Sequence, residues 1–144
     1  MDNILIVDDN QDVAFMLKEK VSQFLCGNID IVLSGEECLE RVSRQQPDLI
    51  LLDISMPRVT GFDVCRQLKS DVATSHIPIA FLTSAYVDLR SKVKGLDLGA
   101  DDYMVHPVDE LELATRIKNL LEIKHLRDEL RDLQGELHKS RTRR

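Results

Sequence analysis

Two short runs of aliphatic residues, each ending on carboxylates, constrain the fold of this 144-residue chain more than any other feature. Residues 4–7 are followed by Asp8 and Asp9, and residues 49–52 are followed by Asp53. Four consecutive aliphatic residues are typical of strands that are buried on both faces, as in parallel sheets. Ligands bind such sheets beyond the carboxyl ends of the strands. We therefore expect the three carboxylates to lie together at that edge.

Carboxylates in such proximity favour a bound cation. Without one they raise one another's pKa, because each negative charge opposes ionisation of the next. Mg²⁺ prefers oxygen ligands and keeps coordination positions for water and phosphate. The pattern therefore predicts a Mg²⁺-assisted phosphoryl site, and Mn²⁺ is the other ion that such ligands suit.

Strand and helix patterns alternate along the chain. Apolar runs predict strands at residues 4–7, 29–33, 48–52, 77–82 and 102–105. Apolar residues at helical spacing fill the intervals and continue after the last strand. Short connections between alternating strands and helices predict a doubly wound α/β domain with a parallel sheet.

Several residues predict where helices begin and end. Ser34 and Glu37 have the spacing of a capping box at the start of the second helix. The first helix is expected to close at Gly27. The fourth helix, which includes Val87, is expected to end at Gly99, a suitable residue beyond a helix C-terminus.

Charge and hydropathy exclude two classes of partner. Residues 1–122 carry a formal net charge of −9, which leaves no basic surface for direct nucleic acid binding, and residues 123–144 carry +3. No apolar stretch approaches the roughly 20 residues of a membrane helix, so we expect no membrane partner. The chain enters a strand without a signal-peptide pattern, and its three cysteines lack metal-type spacing. These features predict reduced thiols and a cytoplasmic location.

A set of short motifs resembles the receiver domain of response regulators from about residue 2 to residue 122. The motifs are Asp8-Asp9, Asp53-Ile54-Ser55-Met56-Pro57 with Gly61, Thr83, Gly99-Ala100-Asp101-Asp102-Tyr103 and Pro107. The resemblance implies a flavodoxin-like parallel sheet with the strand order 2-1-3-4-5. It also implies a signalling domain and not an enzyme, with slow autodephosphorylation as the one reaction to consider.

The resemblance also implies a role for each residue of the site. Asp53 would be the phosphoacceptor, which takes a phosphoryl group from a sensor histidine kinase or a phosphotransfer protein. The ligands of Mg²⁺ would be Asp8, Asp9, Asp53 and the backbone carbonyl of Ser55. Thr83 would bond to a phosphoryl oxygen.

Each of these roles has a simpler structural alternative. Asp8 or Asp9 could cap the following helix, and Thr83 could be an ordinary strand residue. Tyr103, the aromatic residue whose position would follow that of Thr83, could serve core packing. An aspartyl phosphatase fits less well, because no second carboxylate follows Asp53 at the spacing that those enzymes use.

One position departs from the family pattern. The family has lysine immediately before the proline after the fifth strand, where this chain has His106. Histidine is shorter than lysine, has a reference pKa of about 6.5 and gives no permanent cation. Three interpretations stay open: a neutral residue that couples phosphorylation weakly to conformation, a pH-sensitive substitute for lysine, or a ligand for Zn²⁺ or Mn²⁺. We favour them in that order.

The last helix changes register after residue 122. Its apolar residues then follow at alternating intervals of three and four, as in a coiled coil. This seam consists of Ile123, Leu126, Leu130, Leu133 and Leu137. In a parallel homodimer, Glu122 would lie near Arg127 of the second chain, and Glu136 near Arg141. The alternatives are a helix that folds back on its own domain and a frayed end.

The sequence thus predicts a receiver domain at residues 1–122 and a helical extension at residues 123–144 that dimerises or joins an output module. We expect phosphorylation of Asp53 to act through dimer geometry or that module. The alternative is an atypical receiver that serves as a phosphorylation-independent dimerisation or scaffold module, because His106 replaces the lysine. No DNA-binding or catalytic pattern follows residue 122, which is consistent with part of a longer protein.

Overall fold

The computed structural model describes residues 1–83 and 89–142, in which strands and helices alternate. The strands are β1 (Asp2–Val7), β2 (Gly27–Val32), β3 (Leu49–Leu52), β4 (Ile79–Thr83) and β5 (Asp102–Val105). The helices are α1 (Gln11–Ser22), α2 (Gly35–Arg44), α3 (Gly61–Ser70), α4 (Leu89–Asp97) and α5 (Glu110–Thr142). This alternation agrees with the order of elements that the hydrophobic pattern predicts.

Within the described residues, the five strands form one parallel sheet in the order β2-β1-β3-β4-β5. The two aliphatic runs lie side by side, with Ile4 opposite Leu49 and Val7 opposite Leu52. The residues after these runs therefore leave neighbouring strands at the same edge. The predicted fold class and strand order are confirmed.

Each face of the sheet is covered by its own apolar core. Successive residues of β1 point to opposite faces, so Ile4 and Ile6 belong to the core beneath α1 and α5. Leu5 and Val7 belong to the core beneath α2 and α3. Burying each such side chain contributes about 1.5–3 kcal/mol, and a register shift by one residue would exchange the two sets.

The first helix ends earlier than predicted. α1 stops at Ser22, and Gly27 is the first residue of β2, not the close of the helix. Gly27 lies opposite Asp2, and a Cβ atom at this glycine would lie only 2.3 Å from the Asp2 carbonyl oxygen. The close approach of two strands explains this glycine. β4 also begins later than predicted, at Ile79.

The fourth helix has the predicted C-terminal signal. Gly99 follows α4 and has a φ of 100°, in the left-handed region that favours glycine. Val87, which the apolar pattern assigns to this helix, lies outside the described residues.

α5 is a single helix that continues well beyond the sheet. It runs from Glu110 to Thr142, so the extension prolongs the helix that covers the domain. Leu113 and Ile117 in its first turns are fully buried in the core beneath α1 and α5. None of the helices that the structure describes is long and apolar enough to cross a membrane.

Candidate functional site

Three carboxylates meet at the carboxyl edge of the sheet. Asp8 and Asp9 follow β1, Asp53 follows β3, and one carboxylate oxygen of each lies within 4.8 Å of the others. Asp8 and Asp53 are 5% and 8% exposed, whereas Asp9 is exposed to solvent. The N–H of Asp53 donates to the Val7 carbonyl at 2.9 Å, which holds the two strand ends together. The fold thus gathers the acidic residues that the sequence singled out.

Asn10 caps α1 and leaves the neighbouring carboxylates available. Its side-chain oxygen accepts the N–H groups of Asp12 at 3.0 Å and Val13 at 3.2 Å. The N–H of Asn10 donates in turn to Asp8 at 2.8 Å. The interpretation in which Asp8 or Asp9 caps this helix is therefore wrong. Asparagine is a preferred N-cap residue, so the sequence did carry this signal.

Burial and mutual repulsion change the titration of the acidic residues. Burial raises the pKa of Asp8 from 3.8 to about 6, and repulsion from Asp53 and Asp9 adds to this effect. Burial also raises the pKa of Asp53, although hydrogen bonds from Thr83 and from the backbone of Ser55 act to lower it. Ionising these carboxylates without a cation therefore costs free energy.

The donor set fits a hard divalent cation. Carboxylate oxygens are the ligands that Mg²⁺ prefers, and three such groups leave positions for water and phosphate. Among the described residues, no lysine or arginine is a leading influence on the pKa of Asp8 or Asp53. A cation bound between the three carboxylates would supply the missing positive charge.

Thr83 and Tyr103 lie on the last two strands of the sheet. Thr83 ends β4, is almost fully buried, and hydrogen-bonds to Asp53 through its side chain. Tyr103 pairs with Phe81 in the sheet, and the centroids of the two rings are 6.1 Å apart. Tyr103 is thus part of the core beneath α2 and α3, whereas Thr83 contacts the carboxylate of Asp53.

The loop after Asp53 is tightly closed. The N–H of Gly61 donates to the Ile54 carbonyl at 3.0 Å. A Cβ atom at Gly61 would lie 2.2 Å from the Asp53 carbonyl oxygen, so the site requires glycine here. Met56 is buried in the core beneath α2 and α3 and anchors the loop, while Ser55 is exposed.

His106 does not belong to the cluster of three carboxylates. Both of its ring nitrogens are buried without a hydrogen-bond partner among the described residues. Burial, and then the charge of Lys20, lower the pKa of His106 from 6.5, so the ring is neutral at pH 7. Within the described ranges, the potential metal ligands that cluster are the three aspartates alone. His106 is not part of this cluster, so the cluster gives no support to the interpretation of His106 as a ligand for Zn²⁺ or Mn²⁺.

The predicted seam of the extension is exposed. The exposed fractions are 37% for Ile123, 57% for Leu126, Leu130 and Leu133, and 62% for Leu137. This face of α5 therefore does not fold back on the domain. Arg127, which the heptad register places near Glu122 of a second chain, pairs with Asp101 of its own domain at 2.6 Å.

Known proteins resemble this chain over most of its length. Residues 4–118 match the family model of the response regulator receiver domain. The chain is 37% identical over 133 residues to the response regulator PleD of Caulobacter vibrioides, covering 92% of this chain and 29% of PleD. It is 42% identical over 118 residues to the response regulator MprA of Mycobacterium leprae, covering 82% and 50% of the two chains. The chain thus spans half or less of these curated relatives.

Solved structures share the same fold. One is the signal receiver domain of a signal transduction histidine kinase from Syntrophus aciditrophicus, with a TM-score of 0.77 and 34% sequence identity. The match covers 85% of this chain and 91% of that one.

Proposed function

Because the chain belongs to the response regulator receiver domain family, we propose that Asp53 accepts a phosphoryl group from a phosphohistidine of a sensor histidine kinase or phosphotransfer protein. The observation that carries this proposal is the position of Asp53, buried against Thr83 with two further carboxylates within 4.8 Å. A turn residue after a strand would not need these neighbours.

Each residue of the site has its own role in phosphoryl transfer. A carboxylate oxygen of Asp53 forms a bond to phosphorus, the bond from phosphorus to the histidine nitrogen breaks, and the electron pair returns to the imidazole. Asp8, Asp9, Asp53 and the Ser55 carbonyl would hold Mg²⁺, or Mn²⁺ in its place, and the bound ion would neutralise charge on the phosphoryl oxygens. The Thr83 hydroxyl then donates to one of these oxygens.

His106 sets how strongly phosphorylation changes the conformation. A neutral ring without the reach of lysine leaves the phosphoryl group without a cation from the loop after β5. Cationic groups of this kind are common stabilisers of phosphoryl oxygens. We therefore infer that Asp53 is phosphorylated but that Thr83 and Tyr103 respond weakly.

The extension provides the output of the domain. The exposed seam of α5 pairs with the seam of a second chain in a cytoplasmic homodimer, and phosphorylation alters the geometry of that dimer or of an attached module. A second candidate function is a dimerisation module that ignores phosphorylation. The observation that favours it is that both ring nitrogens of His106 are buried without a hydrogen-bond partner in the part of the chain that the structure describes.

Intact mass after incubation with Mg²⁺ and a small phosphodonor tests the phosphoacceptor role. The native chain should gain the mass of one phosphoryl group, and Asp53→Asn should gain none. Chelation of the metal should abolish the gain in the native chain. A native chain that stays unmodified would overturn the proposal.

Light scattering on the same samples separates the two candidate functions. A change in association or shape after phosphorylation supports the receiver. Dimers that are identical with and without the phosphoryl group support the phosphorylation-independent module.

A further inference from the structure

The C-terminal helix is fastened to the edge of the sheet opposite Asp53. Two cationic side chains beyond residue 122, Lys124 and Arg127, contact this edge. Their partners Asp48 and Asp101 directly precede β3 and β5, so the contacts lie at the amino ends of the strands. Receiver chemistry at the carboxyl edge does not use these residues.

Lys124 connects α5 to the two central strands. Its side chain is 8% exposed, and its ammonium group contacts Asp48 at 3.4 Å and pairs with Asp128 one turn along the helix. Asp48 also accepts the N–H of Asn3 in β1 at 2.7 Å. A lysine is buried in this way only when carboxylates compensate the loss of water.

Arg127 connects α5 to the residues that precede β4 and β5. Its guanidinium donates to Asp101 at 2.6 Å and to the His76 carbonyl at 3.3 Å. The second carboxylate oxygen of Asp101 accepts the ammonium of Lys69 at 3.1 Å and the N–H of Ile79 at 2.9 Å. Burial acts to raise the pKa of Asp101, but these bonds outweigh burial and lower it, so the carboxylate is ionised at pH 7.

We propose that Lys124 and Arg127 form a two-point clamp, which holds the extension in a fixed direction relative to the receiver domain. Lys124 attaches α5 before β3, beside the contact of His125 with Asp2 of β1 at 3.0 Å, and Arg127 attaches it before β5. Attachments at separate strands oppose bending and rotation of α5, whereas loss of the attachment before β5 would leave the helix free to pivot about the other contacts. Residues 123–128 thus move as part of the domain. The clamp exists without phosphorylation, but its use in transmitting a phosphorylation signal rests on the function proposed above.

The clamp also restricts how a second chain can pair. Arg127 is held by Asp101 and is therefore not available to Glu122 of another chain. In the heptad register, the next oppositely charged pair is Glu136 with Arg141. Charge pairing between chains therefore begins beyond the clamp.

Distances between two spin labels test the rigidity of the clamp. Exposed Cys26 provides one label and Gln134→Cys the other, while buried Cys38 and Cys65 have pKa values raised to about 12 and about 11 and should not react. Labelled chain is diluted with excess unlabelled chain, so that only distances within one chain are measured. No phosphodonor is added, so the result is independent of chemistry at Asp53.

The matched variants are Arg127→Met and Arg131→Met. Both remove an arginine from the same helix, but the ion pair of Arg131 among the described residues is a long one within the helix, to Asp128 at 4.0 Å, and its side chain is half exposed. We expect a narrow distance distribution in the native chain and in Arg131→Met, and a clearly broader one in Arg127→Met. Equal widths in all three chains would overturn the clamp.

A double-mutant cycle on the 144-residue chain gives a second readout. Asp101→Asn and Arg127→Met should each lower the midpoint of thermal unfolding by several degrees, because each leaves a charged partner unpaired. The double variant should lose clearly less than the sum of the two. Strictly additive losses would show that the pair is not coupled and would also overturn the proposal.

Discussion

Asp8 shows, at the level of single residues, how the fold changes the chemistry of a common side chain. The sequence placed Asp8 with Asp9 and Asp53 because both apolar runs end on carboxylates. It did not indicate that Asp8 would be 5% exposed or that its pKa would rise to about 6. Those properties depend on the atoms that pack around the carboxylate, which lie far apart in the chain.

Asp8→Asn should stabilise the metal-free protein at pH 7. Because the pKa of Asp8 is raised in the folded state, native stability falls as pH rises from 3.8 to about 6. Asparagine does not ionise, so the variant does not lose stability in this way. Its free energy of unfolding at pH 7 should therefore be about 1–3 kcal/mol higher than that of the native chain. Urea unfolding in a chelator, across this pH range, measures the difference.

Added Mg²⁺ provides the control for this prediction. The ion should stabilise the native chain more than Asp8→Asn, because the variant offers one carboxylate fewer. Native and variant pH profiles that run parallel would contradict the raised pKa.

His106→Lys should strengthen the response to phosphorylation. Lysine adds a permanent cation and a longer reach, so the phosphorylated variant should keep its phosphoryl group longer and change association more than the native chain. Mass spectrometry over time and light scattering measure the two effects. His106→Gln is the matched neutral control and should behave as the native chain does.

The response of the native chain and that of His106→Gln should have the same pH dependence between about pH 6.5 and 8. The pKa of His106 is lowered from 6.5, so the ring is predominantly neutral in this range, whereas Asp8, whose pKa is about 6, titrates in both chains. A response that grew more steeply toward pH 6.5 in the native chain than in His106→Gln would instead support the pH-sensitive interpretation.

At the level of elements, the sequence predicted which segments form strands and helices better than where they end. The side chain of Ser34 caps α2 as predicted, but the Glu37 carboxylate accepts from Leu33 and not from Ser34. The capping box of α3, formed by Thr60 and Asp63, was not anticipated. Pro57 and Gly61 are residues typical of loops. Which loop residue caps the following helix depends on backbone geometry.

Two glycines offer a matched test of local structure. Gly61→Ala should lower the free energy of unfolding by more than about 2 kcal/mol and impair phosphorylation, because the new Cβ would lie 2.2 Å from the Asp53 carbonyl oxygen. Gly135→Ala, with nothing within 4 Å of the added atom, should instead stabilise α5 by up to about 1 kcal/mol. Thermal unfolding and intact mass measure both outcomes. Normal stability and phosphorylation of Gly61→Ala would contradict the tight loop.

At the level of the whole molecule, the two ends of the parallel strands carry different structures. The carboxyl ends carry the acidic site, and the amino ends hold α5 through Asp48 and Asp101. The sequence predicted the first arrangement because the position of the acidic site depends only on where the buried strands end. It did not predict the second, since Lys124 and Asp48 are 76 residues apart and neither belongs to a recognisable pattern.

The exposed seam of the extension should drive association of two chains. Replacing both Leu130 and Leu133 by Lys should convert dimers to monomers, because these residues are 57% exposed and form the apolar stripe that a second helix would cover. Sedimentation at several protein concentrations measures the change. Asp132→Lys, on the face away from the seam, is the control. A native chain that stays monomeric at all concentrations would contradict the predicted dimer.

Because α5 is one continuous helix, the number of its residues determines the direction in which the chain leaves it. Each residue of an α-helix rotates the rest of the chain by about 100° and advances it by about 1.5 Å. With Arg127 tied to Asp101, any module joined after Thr142 would have its azimuth set by the number of intervening residues. Inserting two residues beyond the clamp should turn such a module by more than half a revolution, whereas seven should nearly restore its orientation. Helical phase then becomes a quantity that can be adjusted without touching the acidic site.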